Sequence, residues 1–243
     1  MVFLKGPFYT DLFRLGGAGL FFVLAILSGC SSLQPAVAPA AKSLRLEVPF
    51  VDQQEAYCGP AALHSALQYY GRDVSLESLV KQVYLPGRRG SLTLEMTAAS
   101  RRQGLLPYPV SGSLDSLIRE LDAGYPVLVL QNLGFNWWPQ WHYALLVGYE
   151  RGGRQLLLHS GEIPYYAISA ATFMRTWARS GYWGLVLTPA DQIPATAEAL
   201  IYLNTLEQMR ETRNLAAPQL LTAFTQAAAH WPRSSSAQLA LAN

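Results

Sequence analysis

Cysteine is scarce in this chain: its 243 residues hold two, Cys30 and Cys58. Two thiols cannot build the cross-linked framework of a small secreted domain. Each also has a separate candidate role, so no disulfide is expected. Charge is sparse too. Only 14% of residues are charged and the net charge is +2, with no basic stripe, which removes nucleic acid from the expected partners. Carboxylates do not cluster, and His64 and His142 lack companions at metal-ligand spacing, so no metal or other cofactor is expected. The one long apolar stretch, Leu15 to Cys30, is too short for a comfortable membrane span. What the chain does have is 51% hydrophobic residues, enough for one good core and a small appendage.

Lys5 and Arg14 precede that apolar stretch, which closes on Leu27-Ser28-Gly29-Cys30. The quartet resembles the bacterial lipobox. It implies that residues 1–29 are a signal peptide and that Cys30 is lipidated and becomes the first mature residue. An uncleaved anchor containing a cysteine is the other reading. Ser31 stands where an Asp would resemble an inner-membrane retention signal, which favours the outer membrane, facing the periplasm. A multiply acylated anchor holds far more durably than a single chain. Residues 30–42, rich in Pro and Ala and without periodicity, are expected to tether this anchor to the domain.

Strand-like alternation begins at "SLRLEVPF", which puts Leu44, Leu46, Val48 and Phe50 on one face. Helical segments follow. The first starts near Gly59-Pro60 and ends at Gly71, and a second is capped by Ser75. A third is capped by Thr93 and stops at Gly104, and a fourth runs from a Ser113 cap to Gly124. The texture then turns to strands in "YPVLVLQNL", "WHYALLVGYE", "RQLLLHS" and "YWGLVLTP", with one helix, "SAATFMRTWARSG", between the last two. Helices followed by an antiparallel sheet predict an α+β domain over residues 43–190. Residues 191–243 hold two more helical segments and the start of another. Ala223, Phe224, Ala227 and Pro232 resemble the second half of a tetratricopeptide repeat, although a plain helical hairpin fits as well. A single repeat cannot bury both faces, so these helices either dock on the domain or belong to a longer array.

Cys58 opens the first helix. Unpaired N–H groups and a partial positive charge at a helix N-terminus stabilise a thiolate, so a depressed thiol pKa is expected there. A nucleophile also needs a base. His64 lies in the same helix and His230 in the C-terminal appendage. His142, at the start of an apolar strand, is the best base on organisation alone. The Trp137, Trp138 and Trp141 rings just before it suit either a groove wall or a cover for the end of the sheet. The Arg88-Arg89 and Arg101-Arg102 pairs are simplest as solvated turns and helix ends.

Gln53, the run Tyr57-Cys58-Gly59-Pro60-Ala61-Ala62-Leu63 and the downstream "WHYALLVGYE" together resemble the bacteriocin-processing (double-glycine) cysteine peptidase family. The resemblance spans residues 47–188. It implies a papain-like fold, no cofactor, and a peptide or protein substrate. Carried over by position, it makes Cys58 the nucleophile and His142 the general base and later acid. Gln53 becomes the oxyanion-hole donor, with Gln54 as the fallback; such a donor is worth about 3 to 4 kcal/mol in the transition state. The chain departs from the family at the third member. His159-Ser160-Gly161 stands where the family places an orienting Asp, and no carboxylate follows before Glu162. Ser160 can accept a hydrogen bond from the imidazole but cannot stabilise an imidazolium electrostatically. Asn132, on the preceding strand, is the second candidate orienter.

The sequence therefore predicts a lipid-anchored periplasmic cysteine peptidase or amide hydrolase. The competing class is an inactive peptidase-like module that binds peptides and recruits a protein partner through its C-terminal helices. Acyl transfer by the same residues is a third reading. The family's leader-peptide substrates go with a fused export transporter, and with no such segment in this sequence that substrate is not assumed.

Overall fold

The computed structural model describes residues 42–52 and 57–242; the expected signal peptide, Cys30, Gln53 and Gln54 lie outside the described residues. The entering segment alternates as its sequence predicts, with Leu44, Leu46, Val48 and Phe50 turned inward and Arg45, Glu47 and Pro49 exposed. Only Leu44–Arg45 is a ladder strand (β1). The run ends because the Val48 N–H folds back to the Leu46 carbonyl at 3.0 Å.

Three helices come next. α1 spans Cys58–Tyr69. α2 (Leu76–Val83) starts at Ser75, whose hydroxyl accepts from the Ser78 N–H at 3.2 Å. A small hairpin of β2 (Tyr84–Leu85) and β3 (Gly90–Ser91) precedes α3 (Thr93–Arg102). Thr93 is not the cap of α3 that its hydroxyl predicts. Leu92 takes the extended cap position and its carbonyl accepts the Met96 N–H at 3.1 Å, so the helix starts one residue early. β4 (Leu106–Pro109) leads to α4 (Leu114–Asp122), capped by Ser113 as expected. Then come β5 (Val127–Asn132), β6 (Trp141–Glu150), β7 (Gln155–Ser160), β8 (Ile163–Ser169), α5 (Ala170–Ala178) and β9 (Gly184–Thr188).

The strands form one antiparallel sheet in the order β4-β9-β5-β6-β7-β8. β1 adds to β6 beyond the end of β5, pairing Leu44 with Tyr149 and Arg45 with Gly148. Residue 148 has no room for a side chain there, because a Cβ would collide with the Leu44 carbonyl. Alternation along β6 gives the sheet two buried faces. Tyr143, Leu145 and Val147 pack with Leu63, Leu67, Leu79 and Met96 of α1 to α3. Ala144 and Leu146 pack on the other side with Leu117, Leu121, Phe173 and Trp177 of α4 and α5. Helices over both faces of an antiparallel sheet make the chain α+β, the class its sequence predicts.

The C-terminal segment is more than the expected hairpin. α6 (Ala199–Glu211) and α7 (Ala217–His230) are joined by a third helix, α8 (Ser235–Ala242), whose Ala237 is fully buried. These helices dock on the domain. Tyr202, Leu206, Met209 and Phe224 share a core with Leu106 and Tyr108 of β4. Glu120 of α4, with no exposed surface, anchors the connection. Its carboxylate accepts from the N–H groups of Ala195 (3.0 Å) and Thr196 (2.8 Å) and from the Thr196 hydroxyl (2.5 Å). Arg101 reaches α6 as well, donating to the Gln208 amide oxygen, so it is not a solvated helix end.

His159 ties the entering segment to the sheet. Its Nε2 lies 3.0 Å from the Val48 carbonyl, and its Nδ1 accepts the Tyr165 N–H at 3.3 Å. A ring that accepts at Nδ1 and donates at Nε2 is neutral. Burial pushes its pKa below the ordinary histidine range, and the charge of Arg45 adds to the drop while the Val48 carbonyl partly opposes it.

Two outcomes are expected. Glu120→Ala removes the acceptor from three donors at a buried site and should lower stability by about 2 to 4 kcal/mol in urea unfolding, with residues 195–242 becoming the first protease-sensitive segment. For His159, the unfolded chain takes up a proton near pH 6.5, which the folded ring resists, so stability should be full above about pH 6.5 and fall as pH drops below it. Urea midpoints at pH 7.5 and 5 read this, and His159→Gln should shrink the difference.

Candidate active site

Cys58 is the first residue of α1 and follows Tyr57, which offers no capping side chain. Gly59 is needed for space: a Cβ would sit 2.8 Å from Ser91 Oγ and 3.3 Å from the Tyr143 ring. Pro60 sits in the first turn, where a missing N–H leaves nothing unpaired. The helix N-terminus is thereby pressed between the β2–β3 hairpin and the start of β6.

The Cys58 sulfur lies within hydrogen-bond reach of the backbone N–H groups of Tyr143, Gly59 and Cys58 itself. These amides lower the thiol pKa, but burial raises it by more, and the net shift is upward. The depressed value expected from the helix N-terminus is therefore corrected: desolvation of the thiolate outweighs three backbone donors.

His142 is the second residue of β6, in register with Gln131 of β5. Its Nε2 is 2.8 Å from the Ser160 hydroxyl at the end of β7. Burial holds the imidazole below its ordinary pKa. Thiol and imidazole thus both favour their neutral forms. Asn132, the other candidate orienter, is committed elsewhere. Its carbonyl oxygen accepts from the N–H groups of Gly134 (3.0 Å) and Gln140 (2.9 Å), which builds the loop ahead of β6.

A cavity of about 440 Å³ opens at Cys58. Trp141 and Tyr143, on either side of His142, line it together with Leu130 and Ser180. Trp137 and Trp138 remain 78% and 65% exposed, so they do not cover the end of the sheet. Arg88 and Arg89 are exposed on their turn, as the sequence predicts, and they also belong to the cavity's lining, with Ser91 beside them. No local sequence signal marks these three. Their place depends on how the hairpin folds against α1.

The sequence of residues 45–184 matches the model of the Peptidase_C39 like family. Solved structures similar to the chain include a double glycine motif protease from an AMS/PCAT transporter in complex with its leader peptide. It is 23% identical with a TM-score of 0.46, over 62% of this chain and 97% of that one. A protein described as a C39-like peptidase from Bacillus anthracis is 16% identical with a TM-score of 0.48, over 60% and 98%. The peptidase domain of Streptococcus ComA, a bifunctional ABC transporter, is 20% identical with a TM-score of 0.46, over 58% and 97%. No curated protein matches the chain. The family match covers both the Cys-Gly-Pro-Ala and His-Tyr-Ala blocks, and with them the papain-like, α+β expectation holds. The chain belongs to the Peptidase_C39 like family, whose model spans more than half of it.

Proposed function

We propose that the chain is a cysteine peptidase or amide hydrolase in which Cys58 attacks, His142 moves the proton and Ser160 positions His142. The observation that carries this reading is the 2.8 Å contact between His142 Nε2 and Ser160 Oγ. It comes one residue before the Tyr143 N–H that faces the Cys58 sulfur. With Nε2–H donated to Ser160, Nδ1 is the nitrogen left to take the thiol proton. The sulfur then bonds to the substrate carbonyl carbon, and the imidazolium returns that proton to the leaving amine. Water attacks the resulting thioester, with His142 again as base. Gln53 supplies the oxyanion donor by family position. Cys30 carries the lipid anchor, in the periplasm-facing leaflet of the outer membrane, on the strength of the Leu27-Ser28-Gly29-Cys30 quartet. The C-terminal helices serve as a partner surface on the same sequence grounds.

The second reading, a peptide-binding module without turnover, is favoured by the raised thiol pKa and by the serine in place of a carboxylate. One variant separates the two. Ser160→Asp supplies charge to the imidazolium, so alkylation of Cys58 by iodoacetamide, followed by mass spectrometry, should accelerate below pH 8. The parent rate should instead keep climbing past the ordinary thiol value of about 8.5. Ser160→Ala should cut peptide hydrolysis about tenfold or more, and His142→Ala or Cys58→Ser should abolish it. Peptides bound but never cleaved by the parent chain would establish the binding module instead.

The anchor has its own check. A palmitate analogue fed to expressing bacteria should label the parent chain and leave Cys30→Ala unlabelled.

A further inference from the structure

The cavity at Cys58 has a one-sided charge inventory. Among the described residues of its lining there are two guanidinium groups, Arg88 and Arg89, and no Asp or Glu. Neither guanidinium has a partner among the described residues, since no ion pair or side-chain hydrogen bond involves them. Their turn is defined: Arg89 sits in the left-handed region at φ +48° and its N–H returns to the Pro86 carbonyl at 3.2 Å. On the same wall, the Ser91 hydroxyl is buried without a hydrogen-bond partner. It stands against Gly59, next to the nucleophile. Leu130, Trp141 and Tyr143 belong to the same lining and offer apolar contact.

Unmatched donors beside aromatic and apolar side chains define a ligand chemistry. A cationic group would be repelled there by the two exposed guanidinium groups, and a purely apolar one would leave the buried Ser91 hydroxyl without an acceptor. A carboxylate satisfies them, because guanidinium pairs with it through short charge-assisted hydrogen bonds. We infer that this cavity receives a carboxylate of the peptide substrate, held by Arg88 and Arg89 beside the carbonyl that Cys58 attacks. The carboxylate is either an Asp or Glu side chain or the chain terminus. The inference rests on the reading of Cys58 as the peptidase nucleophile, yet its test needs no turnover.

Iodoacetate and iodoacetamide alkylate a thiol by the same displacement and differ in the carboxylate. With the full-length chain in detergent, the rate of each at Cys58 is read by mass spectrometry, and free cysteine provides the reference ratio. The iodoacetate-to-iodoacetamide ratio at Cys58 should exceed that of free cysteine by about fivefold or more at low ionic strength. It should collapse towards the reference at about 1 M salt, where charges are screened within roughly 3 Å. Arg88→Glu with Arg89→Glu should push the ratio below the reference, and the milder Arg88→Gln with Arg89→Gln should bring it to the reference. A parent ratio equal to that of free cysteine, or one that both double variants leave unchanged, overturns the inference.

Competing peptides then identify the source of the carboxylate. A blocked peptide with an internal Glu that slows alkylation assigns a side-chain carboxylate. An alanine peptide with a free C-terminus that does so assigns the terminus. A fully blocked alanine peptide that protects as well as either overturns the inference. If cleavage assays fail while the ratio holds, only the hydrolytic reading falls. If the ratio fails while cleavage proceeds, only the carboxylate site falls.

Discussion

The close approach of α1 to its neighbours is the constraint from which the rest of the site follows. Residue 59 must lack a side chain, since Ser91 and the Tyr143 ring occupy the space a Cβ would need. Because it does, the helix N-terminus can seat the Cys58 sulfur against the Tyr143 N–H, adjacent to His142. The same contact brings the β2–β3 hairpin to the edge of the cavity and gives that cavity its second wall. Strand β6 is the reference for all of this. It is held by β5 on one side and β7 on the other, with β1 added at its far end. Trp141, His142 and Tyr143 therefore sit on one of the most restrained strands of the sheet.

Burial decides the electrostatics of the pair. Each group is pushed towards its uncharged form, the thiol upwards and the imidazole downwards. A carboxylate behind the imidazole would counter that by stabilising the cation, whereas a serine hydroxyl fixes ring orientation without adding charge. The Ser160 contact fixes the ring of His142 without supplying the charge that would favour its cation. Helix-end amides alone do not restore it, because three N–H groups facing one sulfur still fall short of the cost of desolvation.

Much of this was legible in the sequence, for physical reasons that differ from case to case. Ser75 and Ser113 mark helix starts because a hydroxyl satisfies an open N–H within the same few residues, and those caps form. Cys58, His142 and Ser160 stood out because their blocks are local, and Ser160 was found by asking what stands where a carboxylate belongs. Other features are set by long-range packing and left no local trace. Nothing near Arg88 says which surface its turn will face, and nothing near Asn132 says that its amide will be used up in shaping a loop. The thiol shift was missed for a related reason: the helix terminus is written in the sequence, while the degree of burial is not. Strands β4 and β8 were hidden by their prolines. Pro107, Pro109 and Pro164 look like breaks in a strand pattern, yet a sheet tolerates proline at its rim.

Those prolines occupy the two ends of the sheet order. In β4 they fall at alternate positions, between residues that pair with β9. The next residue of the same parity as Leu106 and Tyr108, Val110, gives its N–H to Gly184 at 3.1 Å. Pro107 and Pro109 thus take the places whose N–H groups would point away from the sheet. Pro107 is buried and Leu106 and Tyr108 pack against the C-terminal helices, so this edge is both short of donors and covered. The β8 rim is interrupted in its own way, by Pro164 and by the left-handed backbone of Tyr165. Both ends of the sheet are thus poor templates for a further strand by their own backbone chemistry.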